Sequence, residues 1–200
     1  MYSYPYACSK DKFQQSEVYN PGEEDHLDSE VRNSIFHDVG KNDPVMQCVQ
    51  QRALSFQGNV PGVRIEKSRV QRYNQHGHFT YHYDALDDGS AQESKGNRIA
   101  TFMVYLQGDY SGGGTHFPSL ETDFNPVDKC AIIDCDGNQK NGTTFRPVVG
   151  NALFWMNVHK DGRLHLDTWH AGLEVSLGVK TILNIWLWQR WPELPAWARF

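Results

Sequence analysis

A chain of 200 residues has room for one hydrophobic core and little room for a second. Its 39% hydrophobic and 12% aromatic content is that of a globular protein, and a formal net charge of -5 offers no basic field for nucleic acid or an anionic membrane. No stretch is apolar enough to span a bilayer, and the opening MYSYPYACSKDKF has no apolar h-region, so a cytoplasmic protein without membrane partners is expected.

Residues 1–28 are polar and aromatic without periodicity and read as an N-terminal arm, leaving 29–200 as a single domain. NDPVMQCVQQRALSF is the one good helix: Asn42 or Asp43 can cap it, Pro44 suits the first turn, and apolar residues fall at 45, 46, 49, 53 and 54. After Gly58 the texture changes to short β-rich segments divided by Gly, Asp, Asn and Pro. These are RIEKSRVQRYN, HFTYHYDAL, RIATFMVYLQ, THFPSL, KCAIIDCDG, TFRPVVGNALFWMN, TWHAGLEVSLG and VKTILNIWLWQR. Seven or eight strands after a helical start suggest a mainly β protein, an antiparallel barrel or sandwich with flanking helices. SGGGT (111–115) lacks the Lys-Ser/Thr of a phosphate loop and enters a strand, so it reads as a hairpin turn. The polar loop 87–97 and part of 121–145 read as mobile, and the C-terminal WPELPAWARF as a segment packing back on the barrel.

Cys8, Cys48, Cys130 and Cys135 form no CxxC pair and no zinc-finger spacing. Cys130 and Cys135 are close enough to bridge, but reduced thiols are the default in an intracellular protein.

Chemistry concentrates in HGHFTYHYDAL, residues 76–86. His-x-Asp occurs three times, at His26–Asp28, His82–Asp84 and His165–Asp167, where composition alone gives about one, so context must decide. Only His82–Asp84 lies in a β pattern, where residues two apart share a face and both donors can reach one ion. A third ligand must come from another strand, and His170 in DTWHAGLEV is the candidate. Two histidines and a carboxylate with open positions make the ligand set of non-haem Fe(II) oxygenases. Ten residues later, Lys180 heads the apolar strand KTILNIWLWQ, where a buried ammonium calls for an anionic partner such as a dicarboxylic acid. Lys180, Asn184 and Trp186 share one face by the period of two.

These features occur in a definite order: His-x-Asp, an Arg-led strand ending Tyr-Leu, Gly-Gly-x-Thr-x-Phe-Pro, Pro-x-x-Gly, then His with Lys ten later. In that order, from about Glu30 to Trp188, the chain resembles the prolyl-4-hydroxylase-like branch of the Fe(II)/2-oxoglutarate-dependent dioxygenases. The resemblance implies a double-stranded β-helix (jelly-roll) core. It implies His82, Asp84 and His170 as iron ligands and Lys180 as partner of the distal carboxylate of 2-oxoglutarate. It also implies Tyr73 and Tyr105 as hydroxyl donors to that co-substrate, Thr115 as a pocket residue, and Trp186 as a wall of the iron site. Glu66, Arg98 and Phe79 fall at substrate-facing positions. His76 stands where the branch has glycine, and Phe79 where its peptidyl-proline hydroxylases often carry tyrosine.

The implied reaction couples decarboxylation of 2-oxoglutarate, with O2, to oxidation of an unactivated C–H bond; succinate and CO2 are released, and ascorbate is an optional reductant. A small molecule or free amino acid is the first expectation for substrate, on the strength of Phe79, and peptidyl proline the alternative, on the strength of Glu66 and Arg98. A non-catalytic metal-binding barrel and a zinc hydrolase are the more distant readings. His76 and His78 flank the site. His116 alternates with Thr115, so only one of that pair faces the pocket. His26, His37, His159 and His165 read as surface residues.

Overall fold

The computed structural model describes residues 13–18, 24–85, 96–121, 129–135 and 141–190. Cys8, most of the 87–97 loop, parts of 121–145 and WPELPAWARF lie outside the described residues.

Helix α1 (Pro44–Phe56) begins as its sequence dictates. Asp43 is extended (φ -68°, ψ 119°) and its carboxylate accepts the Met46 N–H at 2.9 Å, while Pro44 occupies the first turn, where no N–H is needed. Met46 and Ala53 are buried on the helix's inner face, packing with Val49 and Leu54 against Ile99, Phe102, Leu183, Ile185 and Leu187.

That apolar row belongs to a seven-stranded antiparallel sheet. Its strands are β1 (Gln14–Gln15), β3 (Ile35–Asp38), β4 (Val63–Ile65), β5 (Arg69–Tyr73), β7 (Asn97–Gly112), β10 (Ala152–Met156) and β12 (Val175–Gln189). The order is β1-β3-β5-β12-β7-β10, with β4 also on β12. Leu183, Ile185 and Leu187 of β12 face α1, whereas Ile182 packs with Tyr73, Met103, Tyr105, Phe117, Trp155 and Val175 in a second core inside the barrel. A smaller five-stranded sheet runs β2 (Arg32–Asn33), β6 (His78–His82), β11 (His170–Gly172), β8 (Thr115–Phe117) and β9 (Thr143–Phe145). The fold is the expected jelly-roll, mainly β with a helix outside.

Several local expectations are corrected. RIEKSRVQRYN is two strands, broken at 66–68, where the Ser68 carbonyl and hydroxyl are engaged by Val39 and Gln50. KCAIIDCDG forms turns with one bridge, Ile133 to Phe145, and Cys130 and Cys135 are joined as a disulfide rather than reduced. The expected break at Gly178 is absent: β12 runs through it, paired with β7 from Val175 to Gln189. SGGGT is no hairpin, because β7 and β8 belong to different sheets and its glycines carry the chain from one to the other. Gly113 has φ +67°, and a Cβ there would lie 3.1 Å from the Lys180 side chain. The segment read as an arm contributes β1, which pairs with β3.

Candidate active site

His82 and His170 are direct cross-strand partners on β6 and β11, and Asp84 follows two residues after His82. One ligand atom from each of the three falls within 4.8 Å of the others, with His82 Nε2 3.7 Å from Asp84 Oδ1. Each imidazole is oriented by a carbonyl two residues before it: His82 Nδ1 lies 2.8 Å from Thr80 O, and His170 Nδ1 2.8 Å from Thr168 O. A carbonyl only accepts, so each Nδ1 carries a proton, and in the neutral ring the Nε2 lone pair is the one left for a metal. The Thr101 hydroxyl donates to Asp84 Oδ2 at 2.7 Å and is itself held by Asn157 Nδ2 at 2.9 Å, which leaves Oδ1 directed at His82. Burial, reinforced by the neighbouring His170, holds His82 well below the ordinary histidine range and therefore neutral. Burial opposes ionisation of Asp84, but His170, His82, Arg98 and the Thr101 bond outweigh it and keep the carboxyl below its usual value.

Strict alternation would turn Phe79 away from His82. Between the pairs Phe79↔Gly172 and His82↔His170, however, β6 carries one residue more than β11, and this β-bulge brings Phe79 round to the metal side. Its ring stacks on His82 with centroids 3.7 Å apart and planes 19° apart. The guanidinium of Arg32 covers Phe79 at 4.4 Å. His170 is enclosed by Phe117 (5.2 Å) and Trp155 (4.9 Å).

Lys180 is 2% exposed and has no ion-pair partner among the described residues. Its Nζ donates to Gly113 O at 2.5 Å, between the rings of Tyr73 (5.3 Å) and Tyr105 (5.7 Å). Burial pulls its pKa down to about 7. Tyr105 OH meets Thr115 Oγ1 at 2.8 Å, and burial pushes this phenol above its ordinary value, so it stays a donor. Lys180, Tyr73, Tyr105 and Thr115 thus gather around one point. Glu66 and Arg98 come together as well, but on each other. Arg98 Nε and Nη2 reach the Glu66 carboxylate at 3.0 to 3.1 Å, Nη1 donates to Asp84 O at 3.3 Å, and the guanidinium lies 4.3 Å over Trp186. Trp186 therefore backs the carboxylate side of the site through Arg98.

Comparison with known proteins matches residues 68–188 to the model of the 2OG-Fe(II) oxygenase superfamily. The chain belongs to that superfamily. Prolyl 4-hydroxylase subunit alpha-2 of Caenorhabditis elegans is 31% identical to this oxygenase over 176 residues, 86% of this chain and 28% of that protein. Prolyl 4-hydroxylase 1 of Arabidopsis thaliana is 28% identical over 187 residues, 92% of this chain and 63% of that protein. The chain therefore spans less than two thirds of either relative. Among solved structures, the 2-oxoglutarate complex of a viral collagen prolyl hydroxylase from Paramecium Bursaria Chlorella virus-1 is similar, with TM-score 0.61 and 26% identity over 80% of each chain. The superfamily is one of enzymes that use Fe(II), 2-oxoglutarate and O2, and the donors of this chain suit them. Two imidazoles with their Nδ1 atoms engaged and one carboxylate fit Fe(II), and a buried lysine with no counter-ion among the described residues fits a dicarboxylic acid.

The structure also brings to the candidate site residues that motif reading overlooks. Arg32, Thr101 and Asn157 have no motif of their own, and only the three-dimensional packing brings them to the site. His116 is buried away from the pocket, its Nδ1 2.6 Å from Tyr81 OH. His76 has the left-handed φ of +65° at the position where the resemblance expects glycine, and its Nδ1 lies 2.7 Å from Glu174.

Proposed function

We propose that this oxygenase hydroxylates proline side chains within peptides, with iron held by His82 Nε2, Asp84 Oδ1 and His170 Nε2. The observation that carries the substrate class is that similarity to prolyl 4-hydroxylases extends over 86% and 92% of the chain in two relatives, beyond the metal residues alone. Of the two substrate expectations, peptidyl proline is thereby favoured over a free amino acid or other small molecule. Phe79 does not oppose it: its ring is occupied in the stack on His82, which needs no hydroxyl.

When bound, Fe(II) with 2-oxoglutarate and O2 supplies the oxidation, giving succinate, CO2 and a hydroxylated carbon. The protein's part is placement. Thr80 and Thr168 fix the imidazole tautomers, and Thr101 fixes the carboxylate. Lys180 meets the distal carboxylate with an ammonium whose remaining donors are unbonded, and Tyr73 and Tyr105 add hydroxyl donors. Phe79, Phe117 and Trp155 close the imidazoles off from water. Glu66 and Arg98 hold the Asp84 backbone from the opposite side, and two N–H groups of Arg98 remain for a peptide carbonyl.

The test is a substrate panel: proline-containing peptides, free proline and other free amino acids, with succinate release and product mass followed together. A gain of one oxygen located on a peptide proline is expected. Turnover of free amino acids with no turnover of any peptide would overturn the substrate class and leave the oxygenase reading intact.

A further inference from the structure

Strand β9 is the last strand of the smaller sheet and only three residues long. It pairs with β8 through Thr115↔Phe145, His116↔Thr144 and Phe117↔Thr143, and β8 pairs in turn with β11, which opens with His170. The Phe145 ring meets Phe117 edge-on at 5.9 Å, and Phe117 stacks on His170 at 5.2 Å with planes 25° apart. Phe145 therefore buttresses the ring that seats a candidate metal ligand. So short an edge strand depends on what covers its open side. The turn at 130–135 covers it. Ile133 is buried and bridges to Phe145, the Asp134 N–H donates to Thr144 O at 2.9 Å, and the Arg146 N–H donates to Ile132 O at 2.8 Å. Arg146 Nε donates to Ile133 O at 3.0 Å, and its Nη2 lies 3.4 Å from Asp134 Oδ1. The two ends of this turn are Cys130 and Cys135, joined as a disulfide, and Cys135 is exposed.

We infer that the Cys130–Cys135 disulfide is a redox-sensitive clamp on the metal site. Oxidised, it holds residues 132–134 in the shape that pins β9, and Phe145 keeps Phe117 seated on His170. Reduced, the same turn has many more conformations, and its few bonds to β9 must offset that freedom. The edge strand then loosens, and His170 is held less firmly for Fe(II). An exposed disulfide is open to exchange with a thiol reductant. The S–S bond breaks, each cysteine sulfur takes up one electron and one proton, and two reductant thiols leave joined as their own disulfide. The turn acts on His170 only through β9 and Phe117, so Phe145 and Phe117 are positioning residues. The inference rests on the reading of His170 as a metal ligand.

Its test uses the full chain carrying Cys48→Ser, which removes the free cysteine found among the described residues. The protein is reduced with a phosphine, which becomes its oxide by taking oxygen from water as two thiols form. The phosphine is then removed under argon. Thiols are counted and Fe(II) affinity is measured by metal titration, before and after. Reduction is expected to add two thiols and to weaken Fe(II) binding about fivefold, with reoxidation restoring it. Adding Cys130→Ser and Cys135→Ser together should give the weaker affinity at once and abolish the response to phosphine; if that variant does not fold, the reduction itself decides. Met46→Ala, in the core under α1, lowers the melting temperature without touching β9 and is expected to keep full Fe(II) affinity. Two new thiols with unchanged affinity, no new thiols, or equal weakening in Met46→Ala overturns the clamp and leaves the ligand reading standing. Oxidised protein that binds no Fe(II) overturns the ligand reading and the clamp with it.

Discussion

Strands β7 and β12 of the larger sheet run 16 and 15 residues, whereas no strand of the smaller sheet exceeds five. The candidate site draws on both. Lys180, Tyr73 and Tyr105 stand on long or well-paired strands of the larger sheet, and along each strand their direction follows simple alternation, even where β7 carries one extra residue between Tyr105 and Gln107. His82 and His170 stand on short strands of the smaller sheet, and their direction is set by local devices: a bulge, two carbonyl bonds and an aromatic stack. The proposed anion pocket is therefore built on long, extensively paired strands. The candidate metal ligands are built on supports that each depend on a neighbour.

Removing a ligand is the largest way to break this arrangement. His82→Ala, Asp84→Ala and His170→Ala are each expected to abolish Fe(II)-dependent turnover while the larger sheet keeps the protein folded, checked by succinate release and circular dichroism. Full activity in any of them would remove that residue from the ligand set.

Lys180→Ala acts on the other side and is expected to raise the 2-oxoglutarate requirement by at least tenfold, with turnover recovering at high co-substrate. The lysine's pKa of about 7 gives a signed pH dependence. Below pH 7 the ammonium is charged and can pair with the co-substrate; above it the free enzyme holds neutral lysine, so the KM for 2-oxoglutarate rises with pH through 7 and beyond. Without co-substrate the lowered pKa acts on stability, because the unfolded chain binds this proton up to its ordinary value of 10.5. Stability of the ligand-free protein should therefore gain from this group as pH rises from about 7 towards 10.5.

Thr101→Val tests the neighbour-dependence of the smaller sheet's ligands. It is nearly isosteric but removes the donor to Asp84 Oδ2, and Fe(II) affinity is expected to fall about 10-fold to 100-fold, read by metal titration. The smallest effect is expected at His78. Its Nδ1 and Nε2 face the carbonyls of His76 and Glu30, both at 3.0 Å, an arrangement that only the doubly protonated ring satisfies. Burial opposes the charge, but these two bonds raise its pKa above the ordinary 6.5. The stability it adds is fully present below pH 6.5 and is lost as pH rises through the raised value, so His78→Gln should flatten melting temperature against pH in that window.

The same contrast explains what could be read from residues alone. The face shared by Lys180 and Trp186 was legible because β12 is long and carries no extra residue between those two positions, and His82, Asp84 and His170 were legible from their order along the chain. α1 was legible from Asp43, Pro44 and its apolar spacing. Phe79 beside His82 contradicts alternation and needs the bulge, which follows from pairing with a strand 90 residues away. The positions of Thr101, Asn157 and Arg32 depend on contacts between distant segments, for which a single chain carries no local signal. The glycines of SGGGT looked like a hairpin because a turn between sheets requires the same backbone freedom as a turn within one.

The most direct measurement is an anaerobic optical titration of the protein with Fe(II) and then 2-oxoglutarate, in wild type, Asp84→Ala and Lys180→Ala. A visible charge-transfer band that requires both additions is expected in wild type. It should be lost in Asp84→Ala, and in Lys180→Ala it should return only at high 2-oxoglutarate. A folded wild-type protein with no band, or an undiminished band in Asp84→Ala, would contradict the site built from His82, Asp84, His170 and Lys180.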